Sequence, residues 1–152
     1  TQWLIYGFIS KENVPRCTMP LFLVTILIYL ISPFTSTIVV YIDEVDYTLY
    51  VADTPIKQAV GYMNTTSYDP RGIGAIGMAF IFTTNSTYCF WMKDTDITLR
   101  IIWVRGVEVT KSVVATPRDT TPICGVGDKV VELNPKISTP RVIKFGEQRL
   151  LH

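Results

Sequence analysis

Residues that could carry chemistry gather in two short stretches of the chain. The first holds Asp53 and Thr54, before a predicted helix. The second holds Trp91, Lys93 and Asp94. A helix N-terminus favours anionic groups because its backbone amides point outward. We therefore expect Lys93 and Asp94 to emerge at a strand end beside Asp53. They form either a polar latch between two segments or the rim of a shallow pocket with an aromatic floor.

Classical catalytic groups are scarce in this sequence. The single histidine is His152, at the C-terminal end, so serine–histidine and cysteine–histidine nucleophiles lack a base, and histidine-ligated metal sites lack their ligand. The sequence therefore predicts no metal site and no cofactor. An enzyme that uses Lys93, Asp94 and Asp53 is the alternative to a binding module, and the residues favour the binding module.

Three glycines match the spacing of a dinucleotide-binding loop, namely Gly72, Gly74 and Gly77. That motif needs a strand before it and a helix after it. Here a polar loop precedes the glycines and a predicted strand follows them. We expect them to shape a loop and to let one strand pass close to its neighbour.

The net charge excludes one class of partner. The 152 residues include 14 Lys and Arg against 13 Asp and Glu, which gives a formal net charge of +1. No long basic run is present, whereas electrostatic binding to nucleic acid needs a basic face. We expect no nucleic-acid partner.

An apolar segment, residues 19–41, contains no charged residue. About 20 apolar residues in a helix span the hydrocarbon layer of a bilayer, so the segment is a candidate transmembrane helix. Lys11 and Arg16 precede it and acidic residues follow it, which predicts an N-terminus inside and a C-terminus outside. A signal peptide with residues 21–31 as its apolar core is the alternative. Pro33 predicts that any helix ends near Ser32.

Cysteines and asparagines give further expectations for an exported domain. Cys89 and Cys124 either pair as a disulfide in an oxidising compartment or are two separate buried thiols. Cys17 would lie across the membrane or be removed. Asn64 and Asn85 each begin an N-x-[ST] triplet in a predicted loop, which makes them candidate glycosylation sites.

Strand patterns dominate the chain after the apolar segment. Alternating or continuous apolar runs predict strands over 45–51, 75–82, 88–93, 97–103, 107–113 and 129–133, with a turn at 83–87 and a loop at 116–128. One short helix is predicted over 55–63, with proline at its start and an apolar stripe of Ile56, Ala59, Val60 and Met63. The fold class is therefore α+β and mostly β.

Four segments occur in an order that resembles a known family. They are ADTPIKQAVGYM (52–63), GMAFIF (77–82), FWMKDTDITLRIIW (90–103) and VVELN (130–134). Together they resemble domain-of-unknown-function family 192, whose signature is the Phe-Trp-Met-Lys block. Asp94 and Arg100 depart from the family's usual Asn and Asp. The resemblance implies a compact, mostly β fold with a small helical part, often behind a signal peptide or anchor. It implies no biochemical role.

Taken together, the sequence predicts three parts: a flank over 1–18, a membrane anchor or signal peptide over 19–41, and a β-rich globular domain over 45–152. We expect five or six strands in a barrel-like or strongly curved sheet. The favoured function is a membrane-anchored or secreted module for binding or extracellular assembly. An envelope or extracellular enzyme is one alternative, and a subunit held in a larger complex by residues 19–41 is another. The ligand is unknown.

Overall fold

A computed structural model describes residues 20–152. The predicted flank over 1–18, with Cys17, lies outside the described residues. Two helices and seven strands follow in the chain: α1 (Leu21–Ile31), β1 (Ser36–Ile42), β2 (Val45–Ala52), α2 (Pro55–Val60), β3 (Gly77–Phe90), β4 (Leu99–Arg105), β5 (Glu108–Ala115), β6 (Ile123–Leu133) and β7 (Ile143–Leu150).

The seven strands form one sheet in the order β5-β4-β6-β3-β2-β1-β7. Neighbours pair antiparallel except β2 and β3, which are parallel and are joined through α2 and a long loop. The sheet is not closed. Its edge strands meet only at one end, where Glu108 bridges to Val142 and the Val109 amide donates to the Arg141 carbonyl at 3.0 Å. The predicted mostly-β fold is confirmed. The expected strand number is too low, and the sheet is strongly curved rather than a closed barrel.

Buried side chains form a core on each face of the sheet. Consecutive residues of a strand point to opposite faces, and in β6 Val130 belongs to one core and Val131 to the other. The Val131 core includes side chains from all seven strands. The Val130 core, called the outer core here, lies beneath α2 and the loops that follow α2 and β3. It includes Tyr62, Met92 and Trp103.

Strand β1 lies inside the segment expected to be an anchor or signal peptide. Ser36–Ile42 pairs with β2 on one side and β7 on the other, and Ile38, Val40 and Ile42 are buried. The β-branched run TSTIVV favours this extended conformation. The sheet thus begins ahead of residue 45, where the sequence pattern placed the start of the globular domain, and residues 36–41 of the expected anchor belong to the sheet.

Helix α1 ends at Ile31, which agrees with the end near Ser32 predicted from Pro33. The Ser32 amide donates the last helical bond to the Ile28 carbonyl, and a single 3₁₀ turn over Pro33–Thr35 leads into β1. Within residues 20–152, no helix is long and apolar enough to span a bilayer.

Strand β3 is longer than expected because it absorbs the predicted turn. Residues 83–87 continue the strand, and the register against β6 shifts between Ile81 and Ser86. A bulge of this kind takes up extra residues without ending a strand. Strand β6 likewise begins at Ile123, inside the predicted loop over 116–128. The polar residues at 83–87 therefore indicated exposure rather than a break in the sheet.

Helix α2 begins as its sequence predicts and ends earlier. The Thr54 hydroxyl accepts from the Lys57 amide at 3.3 Å, and Pro55 occupies the first helical position. Gly61, with φ of 46°, ends the helix after Val60 rather than at residue 63. The predicted apolar stripe is also wrong in part, because Ile56 is exposed while Lys57 is buried.

Candidate functional site

Three loops meet at a polar cleft of about 400 Å³. One follows α2, one joins β3 to β4, and one joins β5 to β6. We call this the polar cleft. Its lining residues are Asn64, Lys93, Asp94, Asp96, Arg118 and Thr120. Each loop contributes at least one side chain that can donate or accept a hydrogen bond.

Backbone strain is concentrated in this cleft. Five non-glycine residues among those described have positive φ, and three of them line the cleft: Asn64 at 60°, Asp94 at 51° and Arg118 at 62°. Asn and Asp tolerate this left-handed conformation better than other residues, whereas arginine does not. Such residues persist only where the surrounding structure holds them, and they cluster at functional sites.

Backbone hydrogen bonds between the loops hold these conformations. The Asn64 amide donates to the Asp94 carbonyl at 2.8 Å, and the Arg118 amide donates to the Thr95 carbonyl at 3.0 Å. A third bond runs from the Met92 amide to the Asp119 carbonyl at 2.8 Å. Because Met92 and Thr95 are also buried, the loop that joins β3 to β4 is fixed to the domain. The cleft is therefore a preformed site.

Charges of both signs meet in the cleft. The Arg118 Nε donates to Asp96 Oδ1 at 2.6 Å, and this bond raises the pKa of Arg118, so its guanidinium stays charged. Lys93 Nζ lies 5.3 Å from the ring centroid of Trp91, a cation–π distance. Arg118 and Asp96 thus neutralise each other, while Lys93 and Asp94 present one positive and one negative group to the cleft.

The sequence-predicted site residues fall into two groups at opposite ends of α2. Lys93 and Asp94 line the polar cleft, and Trp91 adjoins it through Lys93. Asp53 and Thr54 precede α2, whereas the Asp94 loop is bonded to Asn64, after α2. The structure therefore does not bring the Lys93–Asp94 pair to the helix start, where the sequence pattern placed it.

At the helix start, Asp53 has other partners. Its carboxylate accepts from Gln148 Nε2 at 2.8 Å and lies 3.8 Å from Lys57 Nζ. Lys57 is buried and also donates to the Thr35 hydroxyl at 3.1 Å. Sequence reasoning missed Lys57 because its position, beside the predicted apolar stripe of α2, is ordinarily solvated.

A disulfide joins Cys89 and Cys124, so the paired alternative is the one found. The two cysteines stand directly opposite each other on β3 and β6. Residues 91–96 follow the first cysteine and residues 118–120 precede the second. The crosslink therefore joins the bases of two of the three loops that form the polar cleft.

Both candidate glycosylation sites are exposed. Asn85 lies within β3 rather than in a loop. Asn64 lines the polar cleft, so a glycan there would occupy the cleft entrance. Glycosylation at either position stays a prediction.

Sequence reasoning also missed one buried carboxyl group. Glu132 on β6 points to the outer core, since it is paired with Met78 and Ile101, which belong to that core. Burial raises its pKa from 4.5 to about 8. A signal was present in VVEL: when Val131 and Leu133 face one core, the residue between them faces the other.

The fold and cleft define a class of protein, a small open-sheet α+β domain with a loop-built polar site. The family model described as "Uncharacterized ACR", domain of unknown function 192, matches residues 38–149. The chain belongs to this family.

Two solved structures are similar to the chain. One is a "putative transcription regulator" from Sinorhizobium meliloti 1021, with 20% identity, a TM-score of 0.61 and coverage of 75% of this chain and 95% of that one. The other is a protein of unknown function from Novosphingobium aromaticivorans DSM 12444, with 27% identity, a TM-score of 0.58 and coverage of 71% and 83%. No curated protein matches the chain. At 20% identity, the similarity to the Sinorhizobium meliloti structure shows a shared fold alone.

Proposed function

We propose that the domain is a binding module and that the polar cleft is its ligand site. One observation carries this: three non-glycine residues in the left-handed conformation converge on one cleft, and Arg118 is among them. A loop with no other role can relieve such strain by substitution to glycine. Left-handed residues at three points of one cleft, with the strained Arg118 among them, support a constraint from binding.

The chemistry of the cleft favours a small, hydroxyl-rich ligand without net charge, such as a saccharide. Lys93 supplies hydrogen-bond donors and Asp94 supplies acceptors, while Asn64 and Thr120 supply both. Asp94 would repel a strongly anionic ligand, and Lys93 would repel a strongly cationic one. A ligand that offers neutral donors and acceptors satisfies both groups.

The proposed location is outside the cytoplasm, in a membrane-anchored or secreted form. The Cys89–Cys124 disulfide supports an oxidising compartment. The apolar stretch that begins the described chain supports either a membrane attachment or an export signal.

Ligand titrations of the full chain test the proposed binding function. Neutral mono- and disaccharides are titrated by NMR into wild type, Lys93→Ala and Lys111→Ala. Lys111 is the matched control, because it too is a lysine over a tryptophan ring, with Nζ 5.6 Å from the centroid of Trp103. We expect Lys93→Ala to abolish binding without a change in melting temperature, and Lys111→Ala to bind normally.

Two results would contradict the binding proposal. One is a Lys93→Ala variant that melts at a lower temperature and binds as wild type does, which would make Lys93 a structural group only. The other is a saccharide that is chemically altered on incubation with wild type and not with Lys93→Ala. That result would replace the binding module by the enzyme alternative at the same cleft.

A further inference from the structure

Helix α1 is apolar around its whole circumference. Eight of its side chains are largely exposed: Leu21, Phe22, Leu23, Ile26, Leu27, Ile28, Tyr29 and Leu30. Successive residues of a helix project about 100° apart, so runs of three and five exposed neighbours cover every direction. A helix that is hydrophobic all round belongs in a protein core or in lipid rather than in water.

Helix α1 contacts the C-terminal residues of the domain. The Tyr29 hydroxyl donates to the Leu151 carbonyl, and the Leu151 amide donates to the Thr35 carbonyl at 2.8 Å. These bonds tie the helix to the end of the chain. A groove of about 430 Å³ opens between α1 and α2. We call it the interhelical groove. Its lining residues are Thr25, Ile26, Tyr29, Leu30 and Lys57.

Lys57 places a positive charge at the base of this apolar groove. Its side chain is only 11% exposed. Nζ donates to Thr35 Oγ1 at 3.1 Å and lies 3.8 Å from Asp53 Oδ1. An ammonium group has three N–H donors, so these two contacts leave one donor for a group in the groove. The groove therefore combines apolar walls with a single cationic donor.

We propose that the interhelical groove docks the domain on a bilayer by binding an anionic phospholipid. The acyl chains cover the exposed side chains of α1, and the headgroup phosphate accepts a hydrogen bond from Lys57. Anionic lipids attract cations near the membrane surface. This deepens the membrane part of the proposed function and does not use the polar cleft.

A protein partner fits α1 less well than lipid does. Protein interfaces surround an apolar centre with a polar rim, whereas α1 carries no charged residue and exposes apolar side chains in every direction. A partner would have to enclose the helix on all sides that α2 leaves open. Lipid chains do this without a complementary surface.

Vesicle binding of the full chain tests the proposed lipid site. Flotation is measured with vesicles of phosphatidylcholine alone and of phosphatidylcholine with phosphatidylglycerol at 3:1. We expect Lys57→Gln to lose about five-fold in binding to the anionic vesicles only, because one basic residue contributes about 1 kcal/mol at such a surface. Lys57→Arg should retain the preference. Lys111→Gln, with the same charge change on β5, is the control.

The apolar part of the proposal has its own pair of variants. Ile26→Ser in the groove should weaken binding to both kinds of vesicle about ten-fold, the loss expected when an isoleucine no longer enters lipid. Val114→Ser removes an exposed apolar side chain from β5 and should have no effect. Melting temperatures within a few degrees of wild type confirm that each variant is folded.

Three outcomes would overturn the proposal, and each is distinct. If Lys57→Gln and Lys57→Arg bind both vesicle types as wild type does, the groove proposal fails and membrane attachment stands. If no vesicle binds the folded wild type, membrane attachment fails as well. If the wild type instead forms an oligomer that Ile26→Ser dissociates, α1 is a protein interface. None of these three outcomes changes the saccharide binding expected at the polar cleft, so the two proposals are tested separately.

Discussion

Arg118 gives the sharpest test of whether strain in the polar cleft serves binding. Glycine adopts a φ of 62° freely, so Arg118→Gly relieves the backbone while it removes the guanidinium. We expect unchanged or slightly higher stability in urea unfolding and loss of saccharide binding. Arg118→Lys, which keeps the strain and a charge, should be less stable than Arg118→Gly. A glycine variant that is much less stable than wild type would mean that the pair with Asp96 is structural.

The buried Glu132 makes stability depend on pH. Its pKa is about 8 in the folded chain against an ordinary 4.5, so between these values the folded state holds a proton that the unfolded state has released. Stability therefore falls as pH rises from about 4.5 to 8, by up to about 1.4 kcal/mol per pH unit. Glu132→Gln should remove this dependence and be more stable than wild type at pH 9.

Urea unfolding at pH 5, 7 and 9 measures the effect of Glu132. The control is Glu147→Gln on β7, where the carboxylate is exposed and the pH dependence of wild type should remain. Equal pH slopes for wild type and Glu132→Gln would show that the carboxyl is hydrated or paired in solution.

At the scale of elements, Gly77 on β3 leaves no room for a side chain beside β6. A Cβ built on Gly77 would lie 2.1 Å from the Glu132 carbonyl oxygen, so Gly77→Ala must push the two strands apart. We expect a loss of about 2–3 kcal/mol in the free energy of unfolding. Gly72→Ala, with nothing within 4 Å and a φ of 66°, should cost only the left-handed penalty of about 1–2 kcal/mol. Equal losses in chemical denaturation would refute the close-approach explanation.

The disulfide joins the same two strands at their other end. It closes a loop with a sequence separation of 35, for which the chain-entropy argument gives about 3–4 kcal/mol. The double variant Cys89→Ser/Cys124→Ser should lose this stability. Because Met92 and Arg118 donate the backbone bonds between the adjoining loops, their amides should exchange hydrogen faster in the variant. An intact mass that does not change on reduction of the purified wild type would contradict the crosslink.

At the level of elements, sequence pattern predicted what depends on neighbours along the chain. The proline at the start of α2 and the apolar alternation of β4 and β5 follow from local chemistry. The length of β3 did not, because residues 83–87 look like a turn and become a bulge only when β6 lies alongside. The burial of Lys57 also depends on tertiary structure, since α1 and Thr35 cover it.

For the whole molecule, the decisive unpredicted fact is that β1 belongs to the sheet. Residues 36–42 are as apolar as a membrane segment. Their β-branched side chains favour a strand, but their place in the core depends on pairing with β2 and β7. The candidate site shows the same limit. The motif Phe-Trp-Met-Lys identified Lys93 and Asp94, but Asn64, Asp96, Arg118 and Thr120 join them only through folding.

Truncation tests the role of β1 at this scale. A chain of residues 36–152 should fold, whereas residues 45–152 should be unfolded or aggregated, although the strand pattern alone suggested that 45–152 suffices. The shorter chain loses the buried Ile38, Val40 and Ile42, each worth about 1.5–3 kcal/mol, leaves one edge of β2 unpaired and removes the neighbour of β7 in the sheet. Circular dichroism and size-exclusion chromatography compare the two. A cooperative melt of residues 45–152 would show that the sheet tolerates loss of the strand next to its β7 edge.

The pairing of β1 with β7 also determines when the sheet can be completed during synthesis. Thr37 lies opposite Arg149, so β1, the first of the seven described strands to leave a ribosome or a translocation pore, receives its last partner only after β7 has emerged. Contacts of such long sequence separation slow folding. Until then β1 exposes an unpaired edge, which is prone to association with other chains. Chains that stop before residue 143 should therefore be held by chaperones or degraded, even though they contain every residue of the polar cleft.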